Sequence, residues 1–317
     1  MNDSAAVLAA PPALRARLRA AWDGDFAWSF RHSPMAIVSL AVFLMCVFGA
    51  ILAPLIAPHN PFDLRTLSLS DSLLPPAWVD NGNAAFLLGT DDQGRDVLSA
   101  IMFGARVSLL VGIASVALAI LLGVSLGLIA GYAGGKVDAF IMRVADVQLS
   151  FPAILIALLI DGVARVALPR GSHDQVALYV LVLAIGLSNW VQYARTVRGS
   201  TMVEKSKEYV QAARVIGVTP AGIMARHLLP NVLGPVLVLA TIHVATAIIT
   251  EATLSFLGVG VPPTQPSLGT LIRIGNDFLF SGDWWITVFP GAMLVLIALS
   301  VNLLGDWLRD ALNPRLR

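Results

Sequence analysis

Residues 107–131 read VSLLVGIASVALAILLGVSLGLIAG, a run of 25 residues without a charged side chain. An α-helix rises about 1.5 Å per residue and the hydrocarbon layer of a bilayer is roughly 30 Å thick, so about 20 apolar residues suffice to cross it. Glycine and serine recur along this run, and such small residues let helices approach closely within lipid. The stretch therefore predicts a membrane-spanning helix that packs tightly against a neighbour.

Five further apolar runs surround this one, and together they predict an all-α polytopic membrane protein. Across the chain 57% of residues are hydrophobic and only 13% are charged, whereas a soluble domain carries about a quarter charged residues. The charges gather between the runs, which distinguishes spans from one large soluble core. The six predicted spans cover residues 35–57, 107–131, 147–166, 176–194, 232–257 and 286–304.

The distribution of lysine and arginine predicts that both ends of the chain are cytoplasmic. With the N-terminus placed there, 15 of the 21 basic residues fall on the cytoplasmic side, in agreement with the positive-inside rule. Residues 1–34 are then a retained cytoplasmic tail, because they lack an apolar stretch long enough for a signal-peptide core. Residues 35–317 form the transmembrane domain, with an external segment at 58–106 and a cytoplasmic loop at 196–231.

Several function classes find no support in the composition. A net charge of +1 gives no indication of nucleic-acid binding, and the single cysteine, Cys46, excludes an internal disulfide framework. The histidines are scattered without a zinc-binding His-Glu-x-x-His pair, and the serines within the apolar runs, Ser125 and Ser255, have no nearby base in sequence. Lys136 follows two glycines but precedes Val137, so no phosphate-binding loop exists. We therefore expect no enzyme activity and no cofactor on this chain.

The cytoplasmic loop predicts two short helices bent about a glycine. Residues before Gly217 favour helix, and Gly217 is placed to end that helix in a left-handed conformation. Thr219 can cap a second helix beginning at Pro220, where the missing N–H costs nothing. Pro230 either ends this second helix or kinks it into the fifth span. From these residues alone, an ordinary solvated helix pair is an equally good interpretation.

A string within this loop carries a resemblance to a known family. Ala212 and Ala213 leave a flat face at the bend, and their surroundings resemble the EAA loop of ABC importer permeases, a coupling helix that docks in the ATPase subunit. Gln211 stands where glutamate is usual and His227 where isoleucine is usual. The string HLLPN at 227–231 resembles the peptide/nickel branch of the family. The coupling residues that this resemblance implies are Gln211, Ala212, Ala213, Gly217, His227, Leu229, Pro230 and Asn231.

The external segment carries a second string. Thr90 with Gln93 three residues later suits a capping box, and the apolar residues within 97–102 would then share one face of a helix lying on the outer leaflet. The same string resembles the signature of the C-type permease subunit in dipeptide, oligopeptide and nickel importers, in which arginine often stands at the position of Ala100. Its signature residues in this chain are Gly89, Thr90, Asp91, Gly94, Arg95 and Asp96.

A third string, EATLSFLGVG at 251–260 with PSLG at 266–269, also resembles this subfamily. The resemblance implies a type I ABC importer permease fold in the bacterial inner membrane and transport of di- or oligopeptides, with a nickel chelate or another small solute as the alternative cargo. It also implies several partners. These are a second homologous permease, two ATPase subunits that bind ATP and magnesium, an extracytoplasmic binding protein and membrane lipid.

Glu251 is the intramembrane polar candidate, since an ionisable residue within a span is functional by default. An ion-coupled secondary transporter could use Glu251 and His243 as a proton relay. Eight residues turn a helix by about 80° beyond two full circles, so the two side chains lie only loosely on one side. The sequence favours a structural role, in which Glu251 hydrogen-bonds a neighbouring helix end or faces water near the pore.

Overall fold

The structure, a computed structural model, describes residues 25–63, 67–167 and 173–312. Most of the predicted tail at 1–34 therefore lies outside the described residues. Within these ranges the chain is helical, and its only extended pairing is an isolated bridge between Thr90 and Asp96. The helices are α1 (Asp25–Arg31), α2 (Pro34–Ile51), α3 (Ala53–Ile56), α4 (Val97–Ala133), α5 (Gly135–Leu149), α6 (Ala153–Ala167), α7 (His173–Glu204), α8 (Glu208–Val215), α9 (Pro220–Ile223), α10 (Leu229–Phe256), α11 (Leu268–Asn276) and α12 (Trp285–Leu312).

Five of these helical stretches are long and apolar enough to cross a membrane, or six if the bent pair α5 and α6 counts as one span. This result confirms the predicted all-α, multi-span class. The first predicted span, 35–57, divides at Leu52, which ends α2 and precedes the short helix α3. Pro54 in the first turn of α3 fits this division, because proline cannot supply the N–H that a continuous helix would need there.

The third predicted span, 147–166, contains a break in the structure. The chain turns by 91° between α5 and α6, so the region is a bent helix pair rather than one helix. Pro152 lies in the break, where it lacks an N–H and disfavours the helical conformation of Phe151 before it. The backbone N–H groups of Ser150 and Phe151 close the break by bonding Val147 and Gln148 carbonyls at 3.1 and 3.2 Å.

Helices α4 and α7 pack backbone against backbone through a row of glycines. A Cβ atom at Gly123 would lie 2.5 Å from the carbonyl oxygen of Trp190. One turn later, a Cβ atom at Gly127 would lie 2.6 Å from the carbonyl oxygen of Ala194, and Gly131 is equally close to α7. These separations are too short for any side chain, which confirms the close approach predicted from the small residues.

The short helix α11 is wedged among α4, α10 and α12. Ser267 caps it by accepting the backbone N–H of Thr270 at 3.3 Å. Gly269 lies directly on α10, since a Cβ atom there would be 2.4 Å from the carbonyl oxygen of Ala252. This wedge sits at the end of the bundle where α4 begins, opposite the end where α7 leads into the loop before α8.

Candidate functional site

The loop predicted at 196–231 begins later than expected, because α7 continues to Glu204. Two arginines in this extension bind carboxylates on α5. The Arg198 guanidinium forms two hydrogen bonds with Asp138, and Arg195 Nη2 lies 2.5 Å from Asp146. Hydropathy identifies only the apolar part of a helix, which lies in the hydrocarbon layer. It therefore does not predict a helical extension whose polar residues form ion pairs outside that layer. We call residues 205–231 the inter-span loop.

Gly217 ends the first helix of the inter-span loop as predicted. Its φ angle is +82°, in the left-handed region that favours glycine. The Gly217 N–H donates to Arg214 O at 3.1 Å, and the next N–H, of Val218, donates to Ala213 O at 3.0 Å. This pair of bonds is the Schellman arrangement, which satisfies the last carbonyls of α8.

The second helix of the loop does not end at Pro230. Thr219 caps it as predicted, accepting a backbone N–H at 3.2 Å. The chain then passes through a π turn, Met224–Leu228, and continues into α10 without interruption. Of the two alternatives predicted for Pro230, the structure excludes the one in which the second helix ends there, since the helix runs on into the fifth span. A proline ring clashes with the backbone of the preceding helical turn. The π turn just before Pro230 is wider than an α-helical turn and so leaves room for the ring.

A polar cluster ties the two ends of the inter-span loop together. The Tyr209 hydroxyl donates to Glu204 Oε2 at 2.7 Å and accepts from Asn231 Nδ2 at 3.2 Å. Asn231 Nδ2 also donates to His227 O at 2.6 Å, and Lys207 pairs with Glu204 at 2.6 Å. Burial and the neighbouring carboxylate raise the pKa of Tyr209 to about 12, so this hydroxyl keeps its proton near neutral pH. Sequence reasoning missed Tyr209 and Glu204, because only the fold brings them beside Asn231.

One face of α8 is fixed to the membrane bundle. Val210 and Ala213 are buried in the same apolar core as Ile223 and Leu228, which follow the bend. The Arg214 guanidinium lies 5.3 Å from the centre of the Tyr132 ring at the end of α4, a cation–π arrangement. The loop therefore moves with the helices beneath it.

The opposite face of α8 is exposed. Val215 and Ile216 expose 85% and 78% of their surface, and Gln211 and Ala212 beside them are exposed too. We call Val215 and Ile216 the apolar tip. The Gln211 side chain donates to the carbonyl of Lys205 at 3.2 Å, a bond that a glutamate could not make. The remaining predicted coupling residues lie after the bend, with His227 and Leu229 half-buried and Pro230 and Asn231 exposed.

In the external segment the predicted capping box is wrong. Helix α4 begins at Val97, and its cap is Asp96, whose Oδ2 accepts the backbone N–H of Ser99 at 2.9 Å. Thr90 instead accepts the N–H of Leu74 at 2.8 Å, a partner 16 residues earlier that local spacing cannot reveal. Residues 97–102 are the first turns of α4, so no separate helix lies on the leaflet there.

The signature residues close one buried turn. Arg95 Nε donates to Asp91 Oδ2 at 2.6 Å, and both side chains are less than 5% exposed. Asp91 Oδ1 also accepts the backbone N–H groups of Gln93 and Arg95, each at 2.9 Å. Gly94 has a φ angle of +75°, and a Cβ atom there would lie 2.4 Å from Ser68 O. Glycine is therefore the residue that this turn admits.

Glu251 is fully buried and hydrogen-bonds a neighbouring helix, one of its two predicted structural roles. Its Oε2 accepts from the Ser108 hydroxyl on α4 at 2.7 Å, and its Oε1 accepts from Ser255 at 2.7 Å. His243 lies elsewhere, with Nε2 2.9 Å from Gln192 Oε1. No hydrogen bond among the described residues links the proposed relay pair. Across the same ranges, no three His, Cys, Asp or Glu side chains are placed to hold a metal ion.

Two family models match the sequence. One describes the inner membrane component of binding-protein-dependent transport systems and matches residues 123–317. The other describes the N-terminal TM domain of oligopeptide transport permease C and matches residues 21–76.

Individual relatives match over most of their length. The dipeptide transport system permease protein DppC of Escherichia coli K12 is 42% identical, over 92% of this chain and 93% of that protein. DppC of Haemophilus influenzae is 38% identical, over 92% of this chain and 95% of the relative. The oligopeptide transport system permease protein OppC of Bacillus subtilis is 35% identical, over 91% and 88% respectively.

A solved structure of the MetNI methionine ABC transporter, in an inward-facing conformation, shares the fold. Its matching chain has a TM-score of 0.52 and 18% identity, over 68% of this chain and 96% of that chain. The structural likeness confirms the ABC importer permease fold. Together with the family models and the relatives, it identifies a transporter subunit rather than an enzyme. The chain belongs to the family of inner membrane components of binding-protein-dependent transport systems.

Proposed function

We propose that this chain is one of two membrane-spanning subunits of an ATP-driven importer of di- or oligopeptides. The relatives named above, which carry dipeptide and oligopeptide permease names, support this cargo. The observation that carries the proposal is the apolar tip, which is held out from the bundle on a helix whose other face is buried. An exposed apolar patch on a rigid support is typical of a surface that a partner protein covers.

The proposed partners follow from the two ends of the bundle. At the loop end, two ATPase subunits bind ATP and magnesium. At the opposite end, the external segment faces an extracytoplasmic binding protein, and a second homologous permease completes the pathway across the membrane. Both termini are cytoplasmic in this arrangement, because the basic residues concentrate at the loop end.

The geometry supports a mechanism in which ATPase closure displaces the inter-span loop. The loop continues directly from α7 on one side and into α10 on the other. The bonds of Tyr209 to Glu204 and Asn231 hold these two connections together. A displacement of the loop therefore moves both spans. The ATPases shift the equilibrium between inward- and outward-open states only if they bind the loop differently in each state.

The decisive experiment is affinity purification of the tagged chain from gently solubilised bacterial membranes, followed by mass spectrometry of the copurifying proteins. We expect a second permease and ATPases carrying phosphate-binding loops. The reconstituted complex should then take up a dipeptide when ATP and a loaded binding protein are supplied. Recovery of the chain alone, or only with copies of itself, would contradict the assembly and direct attention to an ion-driven carrier.

A further inference from the structure

An open cleft lies at the end of the bundle opposite the inter-span loop. Its walls come from the start of α4, the start of α7 and the two segments that pass beside them. Its volume of about 580 Å³ falls within the range of roughly 300–1,000 Å³ that small-molecule sites occupy. The residues that line it include Phe62, Phe103, Arg106, Leu110, Leu178 and Thr264.

The cleft is mainly apolar. Phe62 and Phe103 form an edge-to-face ring pair, with centroids 5.2 Å apart and an angle of 86° between the planes. Leu110 and Leu178 continue the apolar lining. Leu110 is 48% exposed, so this surface is open to an incoming group. Such walls suit a hydrocarbon or aromatic side chain.

Arg106 is a charged residue of the cleft lining whose guanidinium is not paired with a carboxylate of the described residues. It is exposed, and among the described residues no carboxylate lies within 4.0 Å of its guanidinium. Arg95 borders an adjoining cavity that shares Phe62 and Thr264. The Asp91 carboxylate already pairs with Arg95 at 2.6 Å, so the Arg95 charge is compensated. A guanidinium beside apolar walls favours a ligand with one carboxylate and an apolar body.

We propose that this cleft receives the transported peptide, with its C-terminal carboxylate on Arg106 and an apolar side chain against the phenylalanine pair. The inference rests on the proposed function, since it names a contact for the peptide within the same transporter. It places the first recognition by the permease at the end where the binding protein would release its cargo. It also predicts a preference for peptides with a free C-terminus, independent of the binding protein.

The test uses a cysteine reporter in the cleft. Cys46 is the only cysteine, and it is buried. A Cys46→Ala, Thr264→Cys variant therefore carries one exposed thiol on this chain, and in the complete, reconstituted complex the label is read on this chain after electrophoretic separation of the subunits. The rate of modification of this thiol by a maleimide is measured without binding protein, in the presence of alanyl-phenylalanine or its C-terminal amide. At a concentration of about twice the Kd, two-thirds of the sites are filled and labelling slows about threefold.

We expect protection by the free acid and none by the amide. Arg106→Gln should weaken protection about fivefold in peptide concentration, since it removes one partly exposed charge-assisted contact. Arg106→Lys should retain part of the protection. Arg273→Gln is the matched control, because Arg273 is exposed on α11 outside the cleft. Equal protection by acid and amide, or unchanged protection in Arg106→Gln, overturns the proposal.

Two further arms separate the alternatives. Labelling that slows with phosphatidylglycerol but not with peptide, compared with vesicles of phosphatidylcholine alone, assigns the cleft to a lipid headgroup and overturns the peptide assignment. ATP-driven uptake of alanyl-phenylalanine is measured on the same vesicles, with binding protein added. Uptake without protection rejects the cleft and leaves the proposed function intact. Absence of both uptake and protection rejects the proposed function as well.

Discussion

The Ser108 hydroxyl joins Glu251 to the start of α11. Its Oγ donates to Glu251 Oε2 at 2.7 Å and accepts the backbone N–H of Leu268 at 3.2 Å. Three helices, α4, α10 and α11, therefore meet at one fully buried carboxylate, which Ser255 bonds from the other side. The carboxylate interacts with hydroxyl groups, and no basic side chain among the described residues pairs with it.

We expect Glu251→Ala to lower the thermal unfolding temperature of the purified complex. The substitution leaves two buried hydroxyls without their acceptor and opens a void, which together cost about 2–4 kcal/mol. Glu251→Gln keeps the volume and one carbonyl oxygen, so its cost should be smaller. Asp80→Ala, at an exposed position, is the control. A Glu251→Gln complex of normal stability that has lost uptake would support the ion-coupled alternative.

The buried pair of Asp91 and Arg95 provides a second prediction. Arg95→Ala removes one partner and leaves a carboxylate that is only 3% exposed, at a cost of about 3 kcal/mol. Faster proteolysis of the external segment, together with a lower unfolding temperature, is the expected result. Arg195→Ala is the matched control, because both members of its pair with Asp146 are about half exposed and such pairs are worth less than about 1 kcal/mol. Equal effects of the two substitutions would contradict the assignment.

Gly217→Pro should uncouple ATP hydrolysis from transport. Proline fixes φ near −65°, whereas Gly217 has φ of +82°, and it also removes the N–H that bonds Arg214. The bend carrying the apolar tip is therefore lost while the spans remain. The measurement compares ATPase activity and peptide uptake in the same vesicles. Gly282→Pro, at another left-handed glycine with free space around it, is the control at the other end of the bundle. Normal uptake by Gly217→Pro would refute the coupling role.

Ile216→Asp should weaken recovery of the ATPases at least about tenfold, because a charge in the covered apolar patch must be desolvated without a partner. The folded chain should be unaffected, since this side chain is 78% exposed. Leu69→Asp changes an equally exposed leucine, 81% accessible, in the external segment and should leave ATPase recovery unchanged. Quantitative mass spectrometry of the purified complexes gives the ratio. Unchanged recovery with Ile216→Asp would place the dock elsewhere.

Local chemistry predicted the bend of the inter-span loop well. Gly217 and Thr219 act on neighbours within five residues, so their spacing alone identifies the end of one helix and the start of the next. Hydropathy likewise found the apolar helices, because the lipid environment imposes their length.

Features that depend on distant partners escaped prediction. The Thr90 hydroxyl accepts the backbone N–H of Leu74 instead of capping a helix, and only the folded segment brings these two residues together. Helix α7 continues past its predicted end at residue 194 to Glu204, and Arg195 and Arg198 in this part pair with carboxylates of α5. Glu251 accepts a hydrogen bond from Ser108, which lies 143 residues earlier in the chain. The sequence predicted that Glu251 bonds a neighbouring helix, but spacing along the chain could not identify Ser108 as its partner.

The glycine contacts between α4 and α7 join these two helices into one closely packed pair. Helices that pack through long side chains can shift when those side chains change rotamer. Helices whose backbones touch at successive turns have no side chains between them that could adjust in this way. We expect the two helices to move together along this stretch when the inter-span loop is displaced. Arg106 on α4 and Leu178 on α7 belong to this helix pair, whereas Phe62 and Thr264 belong to other segments. We therefore expect a displacement of the loop to shift the α4 and α7 side of the cleft relative to its other wall.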